Sequence, residues 1–277
     1  MTSQTPRPQR ISIIRPIDDG YSLATTMADP STVDDGVSNA KQVFGDAVDV
    51  FVVPPALTAA PPQLVLMDVD STFINEEVIE LIAEHAGVRE QVAEVTERAM
   101  RGELDFEQSL RARVETLAGL PVSVLDEVAR SVTYSPGIPE FVAAAQAAGT
   151  HVALVSGGFD VIVESLAGRL GVTDTEANTL EIVDGKLTGR VTGRVVDRAR
   201  KAERLAEICS ERGFDVARTV AIGDGANDLD MVDAAGYGIA FCAKPTLVEG
   251  ADASLTIRRM DAVWAALTGK APGGPQG

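Results

Sequence analysis

Cysteine is nearly absent: 277 residues hold only Cys209 and Cys242, neither in a Cys-x-x-Cys pair nor spaced with a histidine. A disulfide framework or a zinc site is therefore unsupported, and both thiols read as core residues. Histidine is as scarce, and His85 and His151, isolated in helix-like and strand-entry contexts, receive no role. Positive charge is in deficit. With 24 Lys and Arg against 41 Asp and Glu, the net charge of −17 repels nucleic acid and anionic membrane surfaces, so neither is expected as a partner. An anionic substrate would require cations built into its own site, as a metal ion or a few placed Arg and Lys side chains. Long hydrophobic runs are missing too. The uncharged stretch Phe51 to Met67 contains Pro54, Pro55, Pro61 and Pro62, which a spanning helix does not tolerate. The apolar run Ile11 to Ile14 is too short for a signal peptide. A soluble, cytoplasmic protein is expected.

What is present is ordinary globular composition, 45% apolar and 23% charged, enough for a substantial core. Residues 1–62 are acidic and irregular, with β-like runs at Ile11 to Ile14 and Val48 to Val53 and a proline-rich exit resembling a linker. They form either a small accessory module or a partly ordered extension, and are expected to add little to the core. Residues 269–277 are expected to be a loose tail. In between, apolar runs alternate with helix-like segments, the pattern of an α/β domain built on a largely parallel sheet. The strand candidates are Leu64 to Val69, Val152 to Val155, Thr219 to Ile222 and Tyr237 to Phe241. A helical insert over 75–132 interrupts the alternation after the first of them. A hairpin is expected over 180–196, with Asp184-Gly185 at its turn. The core is thus 63–74 with 133–268.

Three strands run into polar turns: Asp68-Val69-Asp70-Ser71-Thr72, Ser156-Gly157-Gly158-Phe159-Asp160 and Gly223-Asp224-Gly225-Ala226-Asn227-Asp228. Ligands of open α/β sheets bind beyond the carboxyl ends of the strands, so these turns are expected to share one crevice. In extended backbone Asp68 and Asp70 point to the same side. Asp224 and Asp228 add carboxylates whose mutual repulsion makes a metal-free cluster costly, and an oxygen-only ligand set suits Mg²⁺. Ser156 and the amides of the Ser-Gly-Gly turn, placed at a helix start, are suitable donors to phosphate oxygens.

These motifs, in this order and with Lys201 between the last two, resemble those of the haloacid dehalogenase superfamily, and within it the phosphoserine phosphatases, over about Leu64 to Ala266. The resemblance implies a Rossmann-like core with a helical cap inserted after the first strand. It implies that Asp68 is the nucleophile and that Asp70 is the proton donor and later the base. By the same resemblance Mg²⁺ is held by Asp68, the Asp70 backbone carbonyl and Asp224, with Asp228 supporting that shell. Ser156, Gly157 and Lys201 would hold the phosphoryl group, and Asn227 would contact substrate. Met67 and Phe73 stand where the family usually has Phe and Leu, apolar for apolar.

Phosphoserine carries an ammonium and a carboxylate beside its phosphate, so its site needs one acid and one base. Arg113 falls within ~20° of Phe106 on the helical face shared with Leu110 and Leu117, while Arg111 points elsewhere. Such an arginine is either a packing residue or a ligand contact. Glu77 borders the apolar face of Val78, Leu81, Ile82 and His85, with Glu76 and Glu80 expected on the opposite side. A glutamate in a first helical turn serves the helix dipole or a ligand. The resemblance assigns both Glu77 and Arg113 to substrate. A phosphotransferase passing the phosphoryl group to another alcohol would use the same residues, and a serine sensor would keep the pocket without turnover.

Overall fold

Strand β4 (Leu64–Met67) is apolar at every position and buried throughout, as a strand covered on both faces must be. Its alternating side chains divide the core. Leu64 and Leu66 join the apolar cluster on one face of the sheet, Val65 and Met67 the cluster on the other. In the computed structural model described here, covering residues 7–272 apart from 19, 46, 101 and 102, β4 lies at the centre of a seven-stranded sheet.

In chain order β1 is Gln9–Ile17, β2 Gly20–Ala28 and β3 Asp49–Val53. After β4 come β5 (His151–Phe159), β6 (Asp174–Val183), β7 (Lys186–Thr192), β8 (Thr219–Gly223), β9 (Gly238–Phe241) and β10 (Ala253–Leu255). The large sheet runs β10-β9-β8-β4-β5-β6-β7, parallel except for the β6–β7 hairpin. Met67 stands opposite both Leu154 of β5 and Ile222 of β8, so the ends of the three strands are level and their turns meet. The hairpin extends beyond its expected bounds, because β6 begins at Asp174 and pairs with β5 before it reaches β7. Its first three residues, Asp174, Thr175 and Glu176, are polar and gave no strand signal.

Between β4 and β5 the chain forms the cap helices Val78–His85, Arg89–Met100, Phe106–Glu115 and Ser123–Ser131, and then the core helix Ile138–Ala147. The two connections to the core lie side by side, bridged by Ile74 and Tyr134. The helix Phe106–Glu115 starts at a reciprocal cap: the Asp105 carboxylate accepts the Gln108 amide at 2.8 Å, and the Asp105 amide donates to the Gln108 side chain at 3.1 Å. Among the described residues no helix is long and apolar enough to cross a membrane.

The N-terminal segment is a three-stranded antiparallel sheet, β2-β1-β3, and it does not stand apart from the core. Ile14, Phe51, Val53 and Leu57 lie in the same buried cluster as Val65, Met67 and Trp264. The expectation that residues 1–62 add little to the core is therefore wrong. The proline-rich exit contains the helix Pro55–Ala59, which buries Leu57, so it is less a linker than expected. Of the expected tail, residues 273–277 lie outside the described residues, as do 1–6.

Candidate active site

The chain leaves β4 at Asp68, whose amide donates to the Ile222 carbonyl at 2.9 Å and ties the nucleophile candidate to β8. The next residues make a tight loop in which Ser71 adopts φ 57°, ψ 2°, and the Ile74 amide closes it on the Val69 carbonyl at 3.0 Å. A non-glycine residue in the left-handed region is strained and persists only where its surroundings hold it. Here the Arg258 guanidinium donates to the Ser71 carbonyl at 3.0 Å, and the Ser71 hydroxyl donates to Glu77 Oε1 at 2.9 Å. Arg258 also reaches Ser135 Oγ at 3.2 Å, so it touches the chain on both sides of the cap connection.

The helix Arg198–Arg212 begins at Asp197, whose side chain accepts the Arg200 amide, and its fourth residue is Lys201. The Lys201 ammonium is 1% exposed and lies 2.7 Å from both Asp68 Oδ1 and Asp228 Oδ1. Asp228 Oδ2 accepts the amides of Asp224 and Gly225, each at 3.1 Å, so both oxygens of Asp228 are engaged within the protein. Only glycine permits this approach at 223, where a Cβ would fall 2.4 Å from the Asp228 carboxyl carbon. Arg200, the neighbouring cation, instead pairs outward with Glu176 and Glu207.

Charge in this corner is unbalanced. Burial and the adjacent Asp228 push the Asp68 carboxyl upward, while Lys201 opposes them. Against the cost of burial, Asp68 and Asp228 raise Lys201 and keep it protonated. Burial, then Asp228 and Glu77, push Asp224 up to about 6. Burial, then Glu77, push Asp70 up to about 8, and Asp70 Oδ1 is buried without a hydrogen-bond partner. Carboxylate oxygens of Asp68, Asp224 and Asp228 lie within 4.8 Å of one another. One ammonium cannot neutralise this set, and an all-oxygen cluster of such charge fits a hard divalent cation. With Asp228 occupied by Lys201 and two amides, Asp68 and Asp224 are the side chains left to bind it.

Above these residues lies a cavity of about 400 Å³. Its core side includes Asp68, Asp70, Gly157, Gly158, Asp224 and Asn227; its cap side includes Glu77, Phe106, Leu110 and Arg113. Ser156 is completely buried and accepts the Gly158 amide at 2.8 Å through Oγ, so its hydroxyl proton is free for another acceptor. The Ser-Gly-Gly segment belongs to the end of β5, where the register with β6 shifts, and the following helix starts only at Asp160. The expected helix-start position is thus corrected. Gly157 meets the cap closely, since a Cβ there would lie 3.1 Å from Phe106. Burial lowers the Arg113 guanidinium, and Glu77, Asp70 and Glu80 counter it.

Glu77 precedes the first helical turn, at φ −97°, ψ 110°. Glu80, expected on the far side, lines the cavity with Ile79. Lys244, absent from the sequence reading, lines it too, and its amide donates to the Asp224 carbonyl at 2.9 Å. Neither histidine reaches the site: His85 lies 4.0 Å from Glu127, and His151 pairs with Asp174 at 2.7 Å. Both cysteines are free thiols.

The phosphoserine phosphatase of Streptomyces coelicolor is 53% identical over 216 residues, 78% of this chain and 53% of that protein. The chain therefore spans about half the length of that curated relative. The phosphoserine phosphatase of Streptococcus thermophilus is 49% identical over 66% of this chain and 85% of its own length. A solved structure of a phospho-aspartyl intermediate analogue of phosphoserine phosphatase superposes with a TM-score of 0.69 at 43% identity, covering 74% of this chain and 98% of that one. The sequence model for haloacid dehalogenase-like hydrolases matches residues 65–233, the span that carries all three turns and Lys201, and the chain belongs to that family.

Proposed function

We propose that the protein is a Mg²⁺-dependent phosphatase that hydrolyses O-phospho-L-serine to L-serine and phosphate, the closing step of serine synthesis, in the cytoplasm. One observation carries this reading. Asp68 and Asp70 face Glu77 and Arg113 across a single cavity sized for a small metabolite. The first pair supplies phosphoryl chemistry, the second an acid for the ammonium and a base for the carboxylate of the substrate.

The Val69 amide and Lys201, each 2.7 Å from Asp68 Oδ1, fix the plane of the nucleophilic carboxylate. Attack by Asp68 on phosphorus forms the aspartyl-phosphate as the bond to the serine oxygen breaks. The departing oxygen takes its electron pair and a proton from Asp70, whose raised carboxyl is protonated near neutral pH. Asp70, now a carboxylate, removes a proton from water as that water attacks phosphorus, and Asp68 leaves with its electron pair. Ser156, Gly157 and Lys201 orient the phosphoryl oxygens, and Asn227 contacts the substrate beside Asp68. Mg²⁺, held by Asp68, the Asp70 carbonyl and Asp224 with Asp228 behind them, would neutralise charge on the phosphoryl group.

Phosphate release from a panel of small phosphomonoesters, with and without Mg²⁺, tests the proposal. O-phosphoserine should lead the panel, chelator should stop turnover, and Asp68→Asn should abolish it, because an amide is a poor nucleophile. Full activity in excess chelator or in Asp68→Asn would defeat the mechanism.

A further inference from the structure

Asn178 is 1% exposed, and its side chain joins the two elements that carry the phosphate-holding groups. Its Nδ2 donates to the Gly157 carbonyl at 2.9 Å, while its Oδ1 accepts the Val196 amide at 2.9 Å. The Gly157 carbonyl and the Gly158 amide belong to one peptide group. Asn178 holds the carbonyl end of that group and Ser156 Oγ the amide end, at 2.8 Å. A planar peptide fixed at both ends cannot rotate, and the Ser156 hydroxyl that accepts from it must direct its own proton elsewhere. Val196 sits just before Asp197, the cap of the helix that delivers Lys201. One buried amide thus fixes the Ser156-Gly157 segment and sets its distance from the Lys201 helix.

We propose that Asn178 is a positioning residue of the phosphoryl pocket, acting through the Gly157–Gly158 peptide on Ser156 and through Val196 on Lys201. The inference rests on the phosphatase reading only in naming the phosphoryl group as ligand. Its charge-free geometry, with both polar atoms of the side chain hydrogen-bonded, is what a fixed anion cradle requires, since donors that must reorganise lose part of their binding energy.

The discriminating variant is Asn178→Asp, which keeps an acceptor for the Val196 amide but sets a carboxylate oxygen against the Gly157 carbonyl. In the Mg²⁺-loaded protein, equilibrium titration with inorganic phosphate should show binding weakened roughly tenfold, about the effect of one lost buried hydrogen bond. Values of kcat/KM for p-nitrophenyl phosphate and O-phosphoserine should fall by a similar factor, leaving their ratio unchanged. Asn178→Ala, which removes both bonds without adding charge, supplies the same comparison if the aspartate variant does not fold. Each is measured below its own melting temperature. A lowered Tm with phosphate affinity unchanged per folded molecule would make Asn178 a packing residue and overturn the proposal. If the unaltered protein released phosphate from neither ester, the functional reading would fall, while the phosphate titration would still decide the role of Asn178.

Discussion

At the residue scale, Asp68, Asp70, Asp224 and Asp228 were legible because they sit in short turns directly after buried strands, where spacing alone fixes their company. Lys201 was legible by its register in the motif order. The cap side was less so. The backbone of Glu77 is extended rather than helical, so a regular-helix face assignment does not hold there, and Glu80, expected on the far side, lines the cavity together with Glu77. Lys244 gave no signal because it enters through a loop after β9 with no motif around it. Arg113→Ala tests the cap assignments. Phosphoethanolamine lacks the carboxylate proposed to meet Arg113, so kcat/KM for phosphoserine should drop on the order of 10²-fold while the simpler ester is much less affected. Glu77→Ala should weaken both esters, which share the ammonium. An equal effect of Arg113→Ala on both would make it a packing residue.

Among elements, the central parallel strands were readable from their continuous apolar runs, and the cap from its helical periodicity. β2, the start of β6 and the three-residue β10 were not, because edge strands need no apolar run and short ones carry no period. What holds the start of β6 is polar. Asp174 meets His151 of β5 at 2.7 Å and Arg204 at 2.6 Å, and its side chain is 11% exposed. The hydrogen bond from His151, ahead of Arg204, lowers the Asp174 carboxyl from 3.8 to about 2. Its folded pKa lies below the unfolded one, so the stabilisation is complete above about pH 4 and disappears as pH falls toward 2. Asp174→Asn should therefore lower stability by roughly 2 kcal/mol at neutral pH, and its loss relative to the unaltered protein should shrink across that acid window. Urea unfolding at pH 7, 4 and 2.5 measures this. A difference independent of pH would mean that packing, not ionisation, accounts for the Asp174 contribution.

For the molecule as a whole, the instructive element is the helix Met260–Thr268, in which every residue from Met260 to Leu267 is buried. Apart from Asp261, which pairs with Arg259 at 2.8 Å, its buried residues are apolar on every face and must be covered on all sides; here the covering is shared between the α/β core and the N-terminal sheet. Phe141 packs edge-on against Trp264, with ring centres 5.6 Å apart, from the core side. From the other side Ser12 Oγ donates to the Ala266 carbonyl at 2.7 Å and Arg10 donates to the Leu267 carbonyl. Farther along, Asp49 accepts both the amide and the hydroxyl of Thr256, at 2.9 and 3.0 Å. None of the residues lining the cavity precedes Asp68, so the chemistry does not call on this module directly. Composition concealed the union: the segment is acidic and irregular on average and leaves Ile17, Met27, Val43 and Phe44 exposed, yet five of its large apolar residues, Ile11, Ile14, Phe51, Val53 and Leu57, are buried. Each buried side chain of this size contributes roughly 1.5–3 kcal/mol, so the set is comparable to the ~5–15 kcal/mol that holds a typical domain folded. Deleting residues 1–62 should expose one face of Met260–Thr268 and yield a protein that aggregates or melts about 10 °C or more below the full chain. Any molecules that remain folded should retain kcat, since the cavity keeps all its groups. Light scattering, thermal melting and turnover per folded molecule measure the three parts. A soluble, monomeric truncation melting within about 3 °C of the full chain would show that the module covers this helix without supporting it.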